Sequence, residues 1–156
     1  MALLNEQVRG EAAQFLGDLT GPVRLVVFTQ EDDCEYCAET RQLAEEIGQL
    51  ADQIEVEVAD FVTEKDRVEQ MGIDKTPAIA VLGAQDYGVR FYGIPSGYEF
   101  AAILHAIRAV SAGVAELSED TLQALARISD PVHIQVFVTP TCPYCSGAVV
   151  LAHRMA

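Results

Sequence analysis

The chain has four cysteines in 156 residues, in two pairs of equal spacing: Cys34 and Cys37 in DCEYCAE at 33–39, and Cys142 and Cys145 in TCPYCSG at 141–147. A thiolate is both a nucleophile and a metal ligand, so a second thiol two residues on leaves two chemistries open. In thiol–disulfide exchange the first cysteine attacks and the second resolves the mixed disulfide. Structural zinc sites space their pairs by about 15 to 20 residues, whereas 104 residues separate Cys37 from Cys142. Inert stapling is also a poor fit, because a bridge closing so short a loop removes little chain entropy. The spacing therefore favours exchange, with no metal and no cofactor expected. A non-catalytic binding or assembly module, or a metal-binding protein, is the alternative. Tyr36 and Tyr144 occupy the same place in both motifs, either beside the thiols or as packing residues.

The surrounding pattern supplies elements to position these thiols. Residues 5 to 17 read as a helix with Asn5 as N-cap and Val8, Ala12, Phe15 and Leu16 near one face. VRLVVFT at 23–29 is a β-branched apolar run, hence a buried strand leading into the first pair. A helix continues to about residue 52, with Leu43, Ile47 and Leu50 inward. IEVEVADF at 54–61 is the next strand, with Asp60 read as a turn or cap residue. A helix capped by Thr63 then runs to Met71. TPAIAVLG at 76–83 and VRFYGI at 89–94 form a hairpin across AQDYG, and 99–112 closes with a helix ended by Gly113. Each cysteine pair lies at a strand-to-helix turn, so its first sulfur faces the unpaired N–H groups and positive dipole of a helix start. That favours the thiolate. The second cysteine, one helical turn on, lies on the same side.

Part of the pattern repeats. The layout of leading helix, Pro-containing turn, apolar strand and Cys-x-Tyr-Cys recurs, with Cys34 and Cys142 separated by 108 residues. Strand, CEYC, helix, strand, helix, Thr76-Pro77, hairpin and helix resemble the thioredoxin fold, and CPYC at 142–145 is similar to the glutaredoxin tetrapeptide. With RFYGIPSGYEF at 90–100 between them, the two motifs resemble the glutaredoxin-like protein disulfide oxidoreductases of archaea and thermophilic bacteria. The resemblance implies an α/β, thioredoxin-like fold: one complete unit at 1–113 with CEYC, and the opening helix, strand, CxxC and helix of a second at 114–156 with CPYC. It also implies exchange with protein disulfide or dithiol substrates, often with a thioredoxin-reductase-like reductant. It places Thr76 and Pro77 in the loop that presents backbone to substrate. There Pro77 would follow a cis bond, against the alternative of a trans proline opening an edge strand. The lysine that glutaredoxins carry ahead of the motif is replaced by Thr139, Pro140 and Thr141, which argues against a glutathione site.

The second copy is short. Only 24 residues lie from His133 to Ala156, so it has no Thr-Pro loop and no sheet against which to bury its helix. The strand HIQVFVT at 133–139 must join the first sheet, pair with another chain or stay mobile, and self-association is the expectation. Ala156 is read as a cut within a longer parent.

Formal net charge is −14 with two lysines, Lys65 and Lys75. Such a surface repels phosphate backbones and anionic lipid, so neither nucleic acid nor membrane is expected as a partner. The N-terminus lacks the basic and apolar regions of a signal peptide, and no run approaches eighteen apolar residues. The expected address is the cytoplasm, where paired cysteines are usually catalytic or metal-binding. His105, His133 and His153 have no nucleophile nearby in sequence and read as structural or surface residues.

Overall fold

Residues 2–156 are described by a computed structural model. The elements are α1 (Glu6–Phe15), β1 (Val23–Thr29), α2 (Cys37–Gly48), β2 (Ile54–Asp60), α3 (Lys65–Gln70), β3 (Ala78–Leu82), β4 (Arg90–Tyr92), α4 (Glu99–Ala112), α5 (Glu119–Leu125) and α6 (Cys145–Arg154). The strands form one mixed sheet in the order β2-β1-β3-β4. β1 runs parallel to β2, from Val23↔Ile54 to Thr29↔Asp60. It runs antiparallel to β3, from Arg24↔Leu82 to Phe28↔Ala78, and β3 pairs antiparallel with β4. The fold class is thus the expected α/β arrangement.

Strand alternation divides the core between the two faces of the sheet. Leu25, Val27, Ile79 and Val81 face Leu43, Ala44 and Ile47 of α2, Ile103 and Ile107 of α4, and Ala12 beside Leu16. Val26, Phe28, Ala78, Ala80 and Leu82 face the other way, onto Ile73, Val68 and Met71. A central strand buried on both faces reads as a continuous apolar run, which is why VRLVVFT lacks visible alternation.

Caps and turns fix the ends. The Asn5 Oδ1 accepts the Val8 N–H at 2.9 Å, as the N-cap reading requires. Gly113 closes α4 at φ 63°, its N–H donating to the Ala109 carbonyl. The buried Ser111 hydroxyl accepts from Thr20 and Gly21 N–H at 3.1 and 3.0 Å and donates to the Gly21 carbonyl. That ties the C-terminal end of α4 to the start of β1. The helix therefore runs antiparallel to β1, and its N-terminal turn lies toward the end of the sheet that carries Thr29 and Ala78.

Three expectations need correction. Thr63 does not cap α3, which begins at Lys65. Asp60 instead gathers the N–H groups of Val62 and Thr63 and the Thr63 hydroxyl, so the turn ahead of the helix belongs to Asp60. Secondly, 133–139 is not a strand, although Ser118 caps α5 ahead of it as the leading helix of the repeat. Among the described residues, no backbone–backbone hydrogen bond involves 130–138. A strand exists only through a partner, and this segment aligns with neither edge of the sheet. Its alternating apolar side chains stay in solvent, with Phe137 88% exposed. Thirdly, the helix after the second pair does find a surface. Val149 of α6 is 7% exposed within the core that includes α4, and the His153 ring meets Phe91 edge-to-face at 4.9 Å. Arg154 pairs with Glu116 at 2.9 Å. Among the described residues no helix is long and apolar enough to cross a membrane.

Candidate redox site

β1 delivers the chain at Thr29 to the first loop. Asp33, in the left-handed region at φ 55°, turns it into Cys34. Cys34 and Cys37 are joined as a disulfide with Cα atoms 5.5 Å apart. In this oxidised form α2 starts at the second cysteine rather than the first, and Tyr36 stands at its N-cap without a side-chain capping bond. Cys37 is 5% exposed, and the Gln30 N–H donates to its sulfur at 3.4 Å. Cys34 keeps partial exposure, so the pair has one half-open cysteine and one buried beside it. That is the division needed by an attacking and a resolving thiol.

The rim is acidic. Glu31, Asp32, Asp33 and Glu35 are all exposed around Cys34. The charge of Glu35 and its hydrogen bond raise the phenol pKa of the exposed Tyr36 above its ordinary value. Thr76–Pro77 is a cis bond, with Pro77 buried and its carbonyl accepting the Gly93 N–H at 2.9 Å. Extending the Phe28↔Ala78 register by one residue brings Pro77 beside Thr29, at the end of the sheet that carries Cys34. Thr76 there is half-buried.

The second loop is built differently. Cys142 donates its N–H to the Thr139 carbonyl at 3.1 Å, and the Cys142–Cys145 disulfide also has Cα atoms 5.5 Å apart. α6 starts at Cys145, and Tyr144 at its N-cap is 86% exposed. Cys142 and Cys145 are both half-buried. The loop rests on the turn ahead of α4. Gly97, at φ 59°, has the Pro140 carbonyl 3.0 Å from where a Cβ would stand, so a side chain there would collide with the second loop.

Two buried groups escaped the sequence reading, and a third, His153, was read there only as structural or surface. Glu99, 6% exposed in the first turn of α4, has an Oε1 without a partner, and burial pushes its carboxyl pKa up. It lies on the stripe of Ala102, Ile103 and Ala106, and an acid on an apolar helix stripe was a signal available in the sequence. Thr40 is fully buried in the first turn of α2, its hydroxyl unpartnered. His153 has an enclosed, unpartnered Nδ1, and burial holds its pKa down to about 4. Among the described residues, no group of three or more His, Cys, Asp and Glu is placed to hold a metal ion. A cavity of about 400 Å³ opens between α1, α4 and α6, lined by Phe15, His105, Arg108 and His153 among others, and no cysteine borders it.

No protein-family profile matches the chain. The crystal structure of a protein disulfide oxidoreductase from Aeropyrum pernix K1 is similar over 100% of this chain and 68% of its own, with a TM-score of 0.91 and 30% sequence identity. The NTD_N/C domain of alkylhydroperoxide reductase AhpF from Enterococcus faecalis is alike in fold, with a TM-score of 0.83 over 97% of this chain and 73% of that one at 24% identity. An alkyl hydroperoxide reductase protein of Staphylococcus epidermidis is 26% identical over 155 residues, 99% of this chain. The chain spans 28% of that relative's length.

Proposed function

Because the chain belongs to the protein disulfide oxidoreductase family, we propose that it exchanges dithiols and disulfides with protein substrates through its Cys-x-x-Cys pairs. One observation carries the reading: Cys34 and Cys37 form a disulfide at the end of a central strand, Cys37 buried with its sulfur accepting the Gln30 N–H and Cys34 half-exposed. Cys34 is the attacking thiol and Cys37 the resolving one; Cys142 and Cys145 take the same roles in the second pair. Thr76 and Pro77 offer backbone to a substrate strand beside Cys34, a role supported by their register neighbour Thr29. Tyr36 and Tyr144, exposed between the cysteines, contact the bound substrate. That both disulfides lie away from the cavity favours protein-sized partners over small molecules.

In this reading the chain divides at Gly113, with 1–113 as the complete unit and 114–156 as a second, partial one. Relatives named as alkyl hydroperoxide reductases support a reductase-type protein as electron donor. The cytoplasm, where paired cysteines are usually catalytic or metal-binding, is the proposed address. The apolar, unpaired segment 133–139 associates with a second copy, an idea that light scattering showing a monomer would sink.

The test is reduction of insulin by dithiothreitol, followed by turbidity, with wild type, Cys34→Ser and Cys142→Ser. The expected result is acceleration by the wild type and its loss in at least one variant. Equal rates in all three would leave a binding module as the function.

A further inference from the structure

We propose that the Thr40 hydroxyl is the hydrogen-bond donor held in reserve for the Cys37 thiolate, and so sets the redox poise of the first pair. The inference rests on the proposed exchange chemistry and concerns the oxygen that the oxidised fold leaves without a partner. Thr40 is 0% exposed, and its Oγ1 is bonded to nothing. A buried hydroxyl normally finds an acceptor. For a helical threonine the nearest is a carbonyl three or four residues back, and Oγ1 bonds none of them.

Helix geometry says what the hydroxyl is near. Residues three apart share a face, and side chains tilt toward the helix N-terminus. Cys37 and Thr40 are both on the buried stripe of α2 that continues through Leu43, Ala44 and Ile47. Thr40 therefore lies one turn beneath Cys37 and leans back toward it.

Exchange changes what Cys37 needs. A partner thiolate attacks the Cys34 sulfur, and the Cys34–Cys37 bond breaks with its electron pair passing to Cys37. A second partner thiolate then displaces Cys34 from the mixed disulfide. The partner dithiol has become a disulfide, and its two electrons reside on the chain's two sulfurs. Cys37 is now an anion at a site 5% exposed, with the Gln30 N–H as one donor. The Thr40 O–H supplies a second. A hydrogen bond to the charged form lowers the thiol pKa and stabilises the reduced pair, which makes the disulfide a stronger oxidant. The second motif lacks this group: Ala148 stands three residues after Cys145 and is exposed.

The experiment equilibrates the intact chain with glutathione buffers. It compares wild type, Thr40→Val, which keeps the shape and removes the donor, and Thr40→Ser, which restores the donor. Thr40→Val should shift the 34–37 equilibrium about tenfold toward the disulfide, or about 30 mV for a two-electron couple. It should also raise the pH at which Cys37 alkylates in a Cys34→Ser background. Thr40→Ser should return both toward wild type, and the 142–145 pair should not move. Thr40→Ala is read the same way if the valine variant does not fold. An unchanged potential in the hydroxyl-free variants, or a shift that serine does not reverse, overturns the assignment. The two proposals fail separately. A chain that shows the Thr40 shift yet never reduces insulin loses its proposed function alone, and one that reduces insulin with no Thr40 shift loses only this inference.

Discussion

The two Cys-x-x-Cys loops share their spacing, their central tyrosine and a Cα separation of 5.5 Å, yet they stand on different foundations. The first is carried by β1, which pairs on both sides and is buried on both faces. Its second sulfur is sealed and hydrogen-bonded, and a turn from the neighbouring strand lies alongside. The second is carried by an unpaired segment, and its helix borrows the flank of α4. The tetrapeptide fixes which bond can form. The sheet beneath it fixes whether a thiolate formed there is dry, what donors it meets and how rigidly it is held.

The difference in support sets the largest expected effect. Phe28→Ala, beneath the first loop at a fully buried site, should destabilise the whole fold by about 3–5 kcal/mol. Val149→Ala, at the contact that seats α6, removes fewer buried carbons and should cost about 1–2 kcal/mol. Denaturant unfolding measures the first, and hydrogen exchange across 145–154 the second. If Val149→Ala moved the global midpoint as far as Phe28→Ala, the two loops would share one cooperative unit and the contrast would collapse.

The second lever is His153. Its residue retains some surface, but the Nδ1 is enclosed, and burial lowers the pKa to about 4 against an opposing hydrogen bond to the Arg90 backbone. An undocked histidine titrates near 6.5. Between those values the undocked helix binds a proton that the docked one refuses. Docking of α6 is therefore at full strength above about pH 6.5 and weakens as pH falls toward about 4, by on the order of 1–2 kcal/mol. Arg154 on the same helix, His105 and Arg108 on α4, Asp18 paired with Arg108, and Glu116 paired with Arg154 are the other charged or titratable groups around this contact. Protection factors for α6 should drop between pH 6.5 and 4.5 while those of β1 hold. Equal protection at both would remove His153 from the account.

The smallest effect concerns Cys34 and Cys142, the proposed attacking thiols. Glu31, Asp32, Asp33 and Glu35 crowd Cys34, and Glu39 occupies the first turn of α2, whereas the first turn of α6 has no acid. Negative neighbours oppose the thiolate and a helix start favours it, so Cys142 should have the lower thiol pKa by about one unit, or roughly 1.4 kcal/mol. Alkylation against pH in a Cys37→Ser/Cys145→Ser background gives both values. If Cys34 alkylates at the lower pH, solvent has screened the acidic rim, and the support from the sheet outweighs local charge.

Much of this was legible residue by residue. VRLVVFT announced a central strand, Asn5 and Gly113 announced helix ends, and CEYC after an apolar run announced a thiol at a helix start. These signals are local, and a few neighbouring residues determine them. HIQVFVT misled for the same reason. Its alternation is a strand's, but pairing requires an edge that the sequence cannot supply. Thr63 misled because two acceptors competed for one turn, and Asp60, with a fixed negative charge, took the donors.

The sequence by itself determined the chemistry available: four thiols in two pairs, an acidic rim around one of them, and the order of elements that presents them. Only the tertiary structure decided that Cys37 would be dry, that the Thr40 hydroxyl and the Glu99 carboxyl would be enclosed without partners, and that α6 would seat on α4 while 133–139 stayed unpaired. Burial and pairing are relations between segments far apart in the chain. Spacing constrains which side chains an element presents, and packing alone settles what they meet.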